Sequence, residues 1–184
     1  MEAFLVSAGV VALAEIGDKT QLLALLLTVR FRSPWPIVAG ILFATVANHT
    51  FAGALGVWLM NLVGPQTMRW ILGLSFIAMA AWTLIPDDAP DEKAATSGHG
   101  VFLTTVIAFF LVEMGDKTQI ATVALAAQFH NLLLVVLGTT VGMLLANVPV
   151  VFAGEALLRR VPLKLVRMIA ALSFVALGAY VLLT

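Results

Sequence analysis

Six runs of almost uninterrupted apolar residues constrain this chain more than anything else in it. They cover roughly residues 3–29, 36–61, 68–86, 101–127, 132–157 and 163–183, and a bilayer-spanning helix needs about 20 mostly apolar residues. Inside lipid, every backbone N–H and C=O must be paired without water, so such runs read as helices. Composition agrees. Of the residues 61% are hydrophobic and 11% charged, with a mean hydropathy of +1.06, whereas soluble domains carry about 25% charged residues. The expected fold class is an all-α membrane protein with six transmembrane helices, and the expected partner is the lipid bilayer. A formal net charge of zero lacks the basic footprint that nucleic acid requires. The absence of cysteine excludes disulfides, thiolate metal sites and cysteine nucleophiles. Glu2 stands where a signal peptide would be basic, so the first run is read as a helix of the working protein.

The breaks carry turn chemistry: Arg30-Phe31-Arg32-Ser33-Pro34, Gly64-Pro65-Gln66, Gln128-Phe129-His130-Asn131 and Arg159-Arg160-Val161-Pro162. Residues 87–100 form a longer polar linker that includes Asp87, Asp88, Asp91 and Glu92. On either side of it the sequence repeats itself. Glu15-Ile16-Gly17-Asp18-Lys19-Thr20-Gln21 returns 98 positions later as Glu113-Met114-Gly115-Asp116-Lys117-Thr118-Gln119. At that same offset Leu74-Ser75-Phe76-Ile77-Ala78 returns as Leu172-Ser173-Phe174-Val175-Ala176, and Ala47-Asn48 returns one residue further on as Ala146-Asn147. The chain divides into a first three-helix repeat (1–86), the linker (87–100) and a second repeat (101–184). Three is odd, so the second repeat enters the membrane from the opposite side. Such inverted repeats are the layout of many secondary transporters, with substrate held between the halves.

Lys and Arg orient this arrangement. Arg30, Arg32, Lys93, Arg159, Arg160, Lys164 and Arg167 fall on one side and Arg69 alone on the other, so the first group is expected to be cytoplasmic and both termini to face outward. Trp35, Trp70, Trp82 and Tyr180 near helix ends suit an interfacial belt. Gly40-x-x-x-Ala44 and Gly138-x-x-x-Gly142 suit close helix packing, and Pro149 is expected to kink its helix.

Chemistry resides in the repeated motif. Read as continuous helix, Glu15, Asp18 and Gln21 share one face, and Lys19 lies within pairing reach of Glu15. Glu113, Asp116, Gln119 and Lys117 repeat the pattern, so facing repeats bring four carboxylates together. A buried salt-bridge network serving only stability is a weak explanation, because each central charge costs about 2.5–3.5 kcal/mol on insertion scales and apolar replacements of buried ion pairs are often neutral or better. Four acids and two lysines sum to −2, which one divalent cation or two protons neutralise. Hard oxygen ligands favour Mn²⁺, Ca²⁺ or Mg²⁺ over Zn²⁺ or Cu⁺. Gln21, Gln119, Asn48 and Asn147 add neutral oxygens, as do the Thr20 and Thr118 hydroxyls; for the two asparagines an interhelical hydrogen bond is the alternative. His49 can relay a proton or ligate metal, although a hydrogen-bonded packing histidine is the plainer reading. Glu155 can pair with Arg159 or guard an entrance.

Two E-x-G-D-K-T motifs in a six-helix chain resemble the UPF0016 (Gdt1-like) family of cation/proton exchangers. The resemblance covers the whole chain and both motifs are intact. It implies secondary active export of Mn²⁺, with Ca²⁺ as the other substrate, in exchange for H⁺. By position it implies that Glu15, Asp18, Glu113 and Asp116 ligate the cation. No resident cofactor and no enzymatic activity are expected, and the chain looks most like a bacterial inner-membrane form. Three rival readings remain: a channel or an exporter of another cation or organic solute on a related plan, an intramembrane enzyme using an acid pair, and a membrane scaffold. The lysine beside each acid pair argues against the enzyme.

Overall fold

The computed structural model describes residues 1–85, 100–154 and 162–183, all of whose regular structure is helical. Asp87, Asp88, Asp91, Glu92, Lys93, His99, Glu155, Arg159 and Arg160 lie outside the described residues, so the expectations for the linker and the Glu155 pair fall there too. Eight helices are described: α1 (Glu2–Glu15), α2 (Lys19–Phe31), α3 (Pro34–Leu62), α4 (Pro65–Thr83), α5 (Gly100–Glu113), α6 (Lys117–Phe129), α7 (Leu132–Ala153) and α8 (Leu163–Leu183). Four of the six apolar runs appear as single helices, and the first and fourth are each broken in two at the repeated motif. By length and composition α3, α7 and α8 are able to cross a membrane. The 14-residue α1 rises only about 21 Å at 1.5 Å per residue, so it falls short of a bilayer unless α2 continues it.

The ends follow local chemistry. α2 and α6 both close on a left-handed residue, Arg32 (φ 51°) and His130 (φ 52°), whose N–H caps the last turn at the Thr28 and Ala126 carbonyls. Asn131 then caps α7 by accepting a hydrogen bond from the Leu134 N–H at 3.0 Å. α3 and α4 start on prolines, which need no N–H at that position. Pro149 lies within α7, which continues beyond it to Ala153.

Contacts come in pairs that exchange the two halves. α1 packs along α7 and α5 packs along α3; α2 also touches α7 and α6 also touches α3; α4 packs on α8. Small residues set the closest approaches. A methyl group added to Gly142 or Gly138 of α7 would lie 2.6 Å from the Ala8 carbonyl oxygen or 2.5 Å from that of Phe4. One added to Gly56 of α3 would lie 2.2 Å from the Val123 carbonyl oxygen of α6.

The α4–α8 pair departs from this exchange symmetry. Phe76 and Phe174, matching positions of the two repeats, stack with ring centroids 6.4 Å apart. To one side of them the helices touch closely, and a Cβ on Gly178 would meet the Gly73 carbonyl oxygen at 2.9 Å. To the other side lies a cleft of about 450 Å³ between the same helices, lined by Ala80, Ala81, Met168 and Ala171 among others. The repeat offset of 98 carries Gly73 to Ala171 and Gly178 to Ala80, so one matching pair is in contact and the other lines the cleft.

Polarity is arranged inside out. Trp35, Phe43, Phe51, Trp58, Leu111, Leu133 and Leu172 are exposed, whereas Glu15, Asp18, Glu113, Asp116 and Lys117 are buried. An exposed apolar surface of this extent calls for lipid rather than water. Trp35, Trp70, Trp82 and Tyr180 all face outward, as an interfacial belt requires. Overpacking a close helix contact costs about 1–3 kcal/mol. Gly56→Ala is therefore expected to lower thermal stability in detergent by several degrees, whereas Gly9→Ala, with nothing within 4 Å, leaves it unchanged or raised.

Candidate metal centre

The motif breaks its own helix, and the break is built the same way twice. Gly17 and Gly115 take φ of +81° and +78°, a left-handed conformation that side-chain-bearing residues enter at a cost of about 1–2 kcal/mol. Asp18 and Asp116 follow in extended conformation as the N-caps of α2 and α6, where a carboxylate complements the positive helix end. Gln21 and Gln119 reach back from the third helical position, each Oε1 accepting from the glycine N–H at 2.8 and 2.7 Å. This is a capping box displaced by one residue. Asp-Lys-Thr-Gln after a glycine is therefore a helix-start signal that the continuous apolar run conceals. Glu15 and Asp18 consequently do not share a face of one helix: Glu15 ends α1 and Asp18 starts α2.

Lysine pairing is crossed between the halves. Lys19 does not meet Glu15; its Nζ lies 2.9 Å from Asp116 Oδ1. Lys117 pairs in the same way with Asp18. Each lysine thus neutralises the aspartate of the other repeat. The Thr20 hydroxyl donates to Glu15 Oε2 and the Thr118 hydroxyl to Glu113 Oε1, so these threonines hold the carboxylates in place. Glu15 Oε1 and Glu113 Oε2 have no hydrogen-bond partner among the described residues.

The structure brings Glu15, Glu113 and Asp116 together, with one carboxylate oxygen from each inside a 4.8 Å span. Oxygens bound to one Ca²⁺ at about 2.3–2.6 Å are at most about 5 Å apart, so the three fit a single divalent ion. Asp18, held by Lys117, is not part of that group of three. At 4.8 Å two bare carboxylates repel by about 3–4 kcal/mol at an effective dielectric of 20, and a cation or protons relieve this.

The other expected ligands divide. Gln21 and Gln119 spend their carbonyl oxygens on the glycine N–H groups; their amide nitrogens donate to the Ala146 carbonyl at 2.7 Å and to Asn48 Oδ1. They brace the breaks, and each carbonyl oxygen already accepts one hydrogen bond. Asn48 makes the interhelical bonds of its alternative reading, its Nδ2 donating also to the Phe110 carbonyl at 3.4 Å. Asn147 donates within α7 to the Met143 carbonyl at 3.1 Å, and its buried Oδ1 has no partner among the described residues. His49 is fully buried and neither ring nitrogen has a hydrogen-bond partner among the described residues. It is not the hydrogen-bonded packing histidine of the plainer reading.

The two breaks differ in cover. Leu163 of α8 lies against Gly17, and Arg167 Nη2 is 3.4 Å from the Gly17 carbonyl oxygen. Gly115 is exposed, with space beyond it. Arg69, the repeat counterpart of Arg167, lines a cavity with Gln128 and His130 instead.

An apolar outer surface around a buried, charge-rich seam between two halves defines an integral membrane protein with an ion-handling centre. Comparison with known proteins gives that class a family. The family described as divalent cation/proton antiporter GDT1 matches residues 3–91 and 101–184. A Vibrio cholerae protein named "Putative manganese exporter" is 50% identical over 172 residues, covering 93% of this chain and 86% of its own. GDT1-like proteins of Synechocystis and Arabidopsis thaliana are 27% and 26% identical, covering 95% and 100% of this chain and 93% and 96% of their own lengths. No solved structure matches. The chain belongs to the GDT1 family of divalent cation/proton antiporters, a family of membrane transporters rather than of enzymes.

Breaking one partner of a buried ion pair costs about 3–5 kcal/mol because a charge is left uncompensated. Lys117→Met is expected to lose stability of that order in thermal or denaturant unfolding, and Asp18→Asn/Lys117→Met to recover most of it.

Proposed function

We propose that this protein exports a divalent cation, Mn²⁺ before Ca²⁺, from the cytoplasm in exchange for protons. One observation carries the reading: with each lysine engaged by the aspartate of the other half, Glu15 and Glu113, one from each half, stand together as buried acids beside Asp116. Their joint charge of −2 is matched by one divalent cation or by two protons. A centre that accepts either ligand and resists being empty couples the two flows.

Glu15 and Glu113, one from each half, are the central ligands, and Asp116 joins them in the present conformation. Exchange of the halves substitutes Asp18 for Asp116, which accounts for two equivalent motifs in one chain. Asn147 Oδ1 is a further donor within the buried core. α1–α2 and α5–α6 each act as one broken span, giving six spans in two inverted repeats, with termini outside and the Arg-rich connections in the cytoplasm of a bacterial cell. Broken helices of this kind are tolerated within a membrane where they are buried in protein or line a polar cavity.

The unequal ends of the α4–α8 pair support alternating access. Rocking about Phe76 and Phe174 would close Ala80 on Ala171 and part Gly73 from Gly178. The same movement would take Arg167 and Leu163 off Gly17 and bring α4 towards Gly115, uncovering one break as it covers the other.

Reconstituted vesicles test the exchange. An inside-acid pH gradient is expected to accelerate Mn²⁺ entry, and a protonophore to abolish the acceleration. Glu15→Gln and Glu113→Gln are each expected to reduce gradient-driven flux about 100-fold, the equivalent of a ligand worth about 3 kcal/mol. Mn²⁺ entry indifferent to the gradient would leave a channel, and flux unaffected by either substitution would remove the acids from the site.

A further inference from the structure

We infer that His49 supplies a nitrogen ligand to the transported cation and tilts selection towards Mn²⁺ and away from Ca²⁺. The inference rests on the transport reading above and adds a donor that the acidic motifs do not contain.

His49 lies on α3, one residue beyond Asn48, with 0% of its surface exposed. Its Nε2 is 3.8 Å from Glu113 Oε1, too far for a hydrogen bond but a normal separation for two donors on one ion. A buried polar group without a partner costs about 1–3 kcal/mol, so the imidazole, with no hydrogen bond among the described residues, gains from a bound ligand. The fold makes no demand for histidine here. At the offset that carries Asn48 to Asn147, His49 becomes Val148, and the second half packs with that valine. The imidazole is therefore an asymmetric addition, placed on the Glu113 side of a centre that is otherwise duplicated.

Chemistry specifies what a nitrogen donor selects. Ca²⁺ and Mg²⁺ are hard and take oxygen ligands, whereas a nitrogen donor favours first-row transition ions, of which Mn²⁺ is the weakest binder and the one most at home among carboxylate oxygens. In this conformation the imidazole reaches Glu113 and lies outside the 4.8 Å span shared by Glu15, Glu113 and Asp116; joining them on one ion, it sets Mn²⁺ apart from Ca²⁺ and does not act against Zn²⁺ or Cu²⁺.

Two measurements on the full-length protein test this. Pulsed electron paramagnetic resonance of Mn²⁺ bound to the detergent-solubilised protein is expected to show ¹⁴N modulation from a directly bound imidazole. His49→Gln is expected to abolish it, and a bound Mn²⁺ signal without directly coordinated nitrogen in the unsubstituted protein overturns the inference before any variant need fold. In vesicles, His49→Gln and His49→Val are expected to lower the Mn²⁺-to-Ca²⁺ preference by about tenfold, one ligand's worth of roughly 1.4 kcal/mol. Both cations shifting equally, or neither shifting, assigns His49 a structural role and overturns the inference while leaving the exchanger intact. Failure of the unsubstituted protein to move or bind either cation overturns both readings together.

Discussion

The crossed pairing of lysine and aspartate is the interaction on which the rest of this structure depends. Lys19 meets Asp116 and Lys117 meets Asp18, so neither half can neutralise its own aspartate within its own motif. Separating the halves would leave four buried charges uncompensated, at a cost of several kcal/mol each. The pairing therefore ties the halves together at their most polar point. Both aspartates carry a lysine, yet Asp116 still places an oxygen beside Glu15 and Glu113, whose carboxylates accept from threonine hydroxyls.

Everything close to that seam serves to place it. The two glycines let the chain leave the helix, the two glutamines pair the N–H groups released there, and the N-cap position orients each aspartate at the start of a helix. The breaks sit inside the protein because lipid offers nothing to unpaired backbone. Packing does the rest: Gly138 and Gly142 let α7 approach the backbone of α1, and Gly40 and Gly56 do the same for α3 against α5 and α6. Polar seam and small-residue contacts are thus two parts of one design, in which helices come close enough to bring acids from different halves within 4.8 Å of one another.

Exchange symmetry makes the departures from it informative. Two identical halves in identical environments would give a centre with no preferred side. Here α8 covers one break while the other is open, α4 and α8 touch at one end and part at the other, and a histidine stands where the matching half has valine. The first two are differences that the proposed exchange of conformations would reverse. The third is written into the sequence and no movement reverses it, which is why it bears on selectivity rather than on access.

Much was legible in the sequence because it depends on local physics. Apolar runs of span length, proline helix starts, the duplicated motif and the family resemblance all follow from residues near one another in the chain. The break at Gly17 was legible too, through Asp18-Lys19-Thr20-Gln21 as a capping signal, but the apolar residues on both sides made a continuous helix the simpler expectation. The pairing of Lys19 was not. Within one helix Glu15 lies at the right spacing, and only the packing of α2 near α5 and α6 brings Asp116 closer. The same holds for Gln21 and Gln119, whose bracing of the breaks shows only in their contacts, and for His49, which has no hydrogen-bond partner among the described residues. Sequence alone determined which ionisable groups must be buried. Tertiary structure decided which of them neutralise one another, because charge pairing in a low-dielectric interior follows distance across the fold and not separation along the chain.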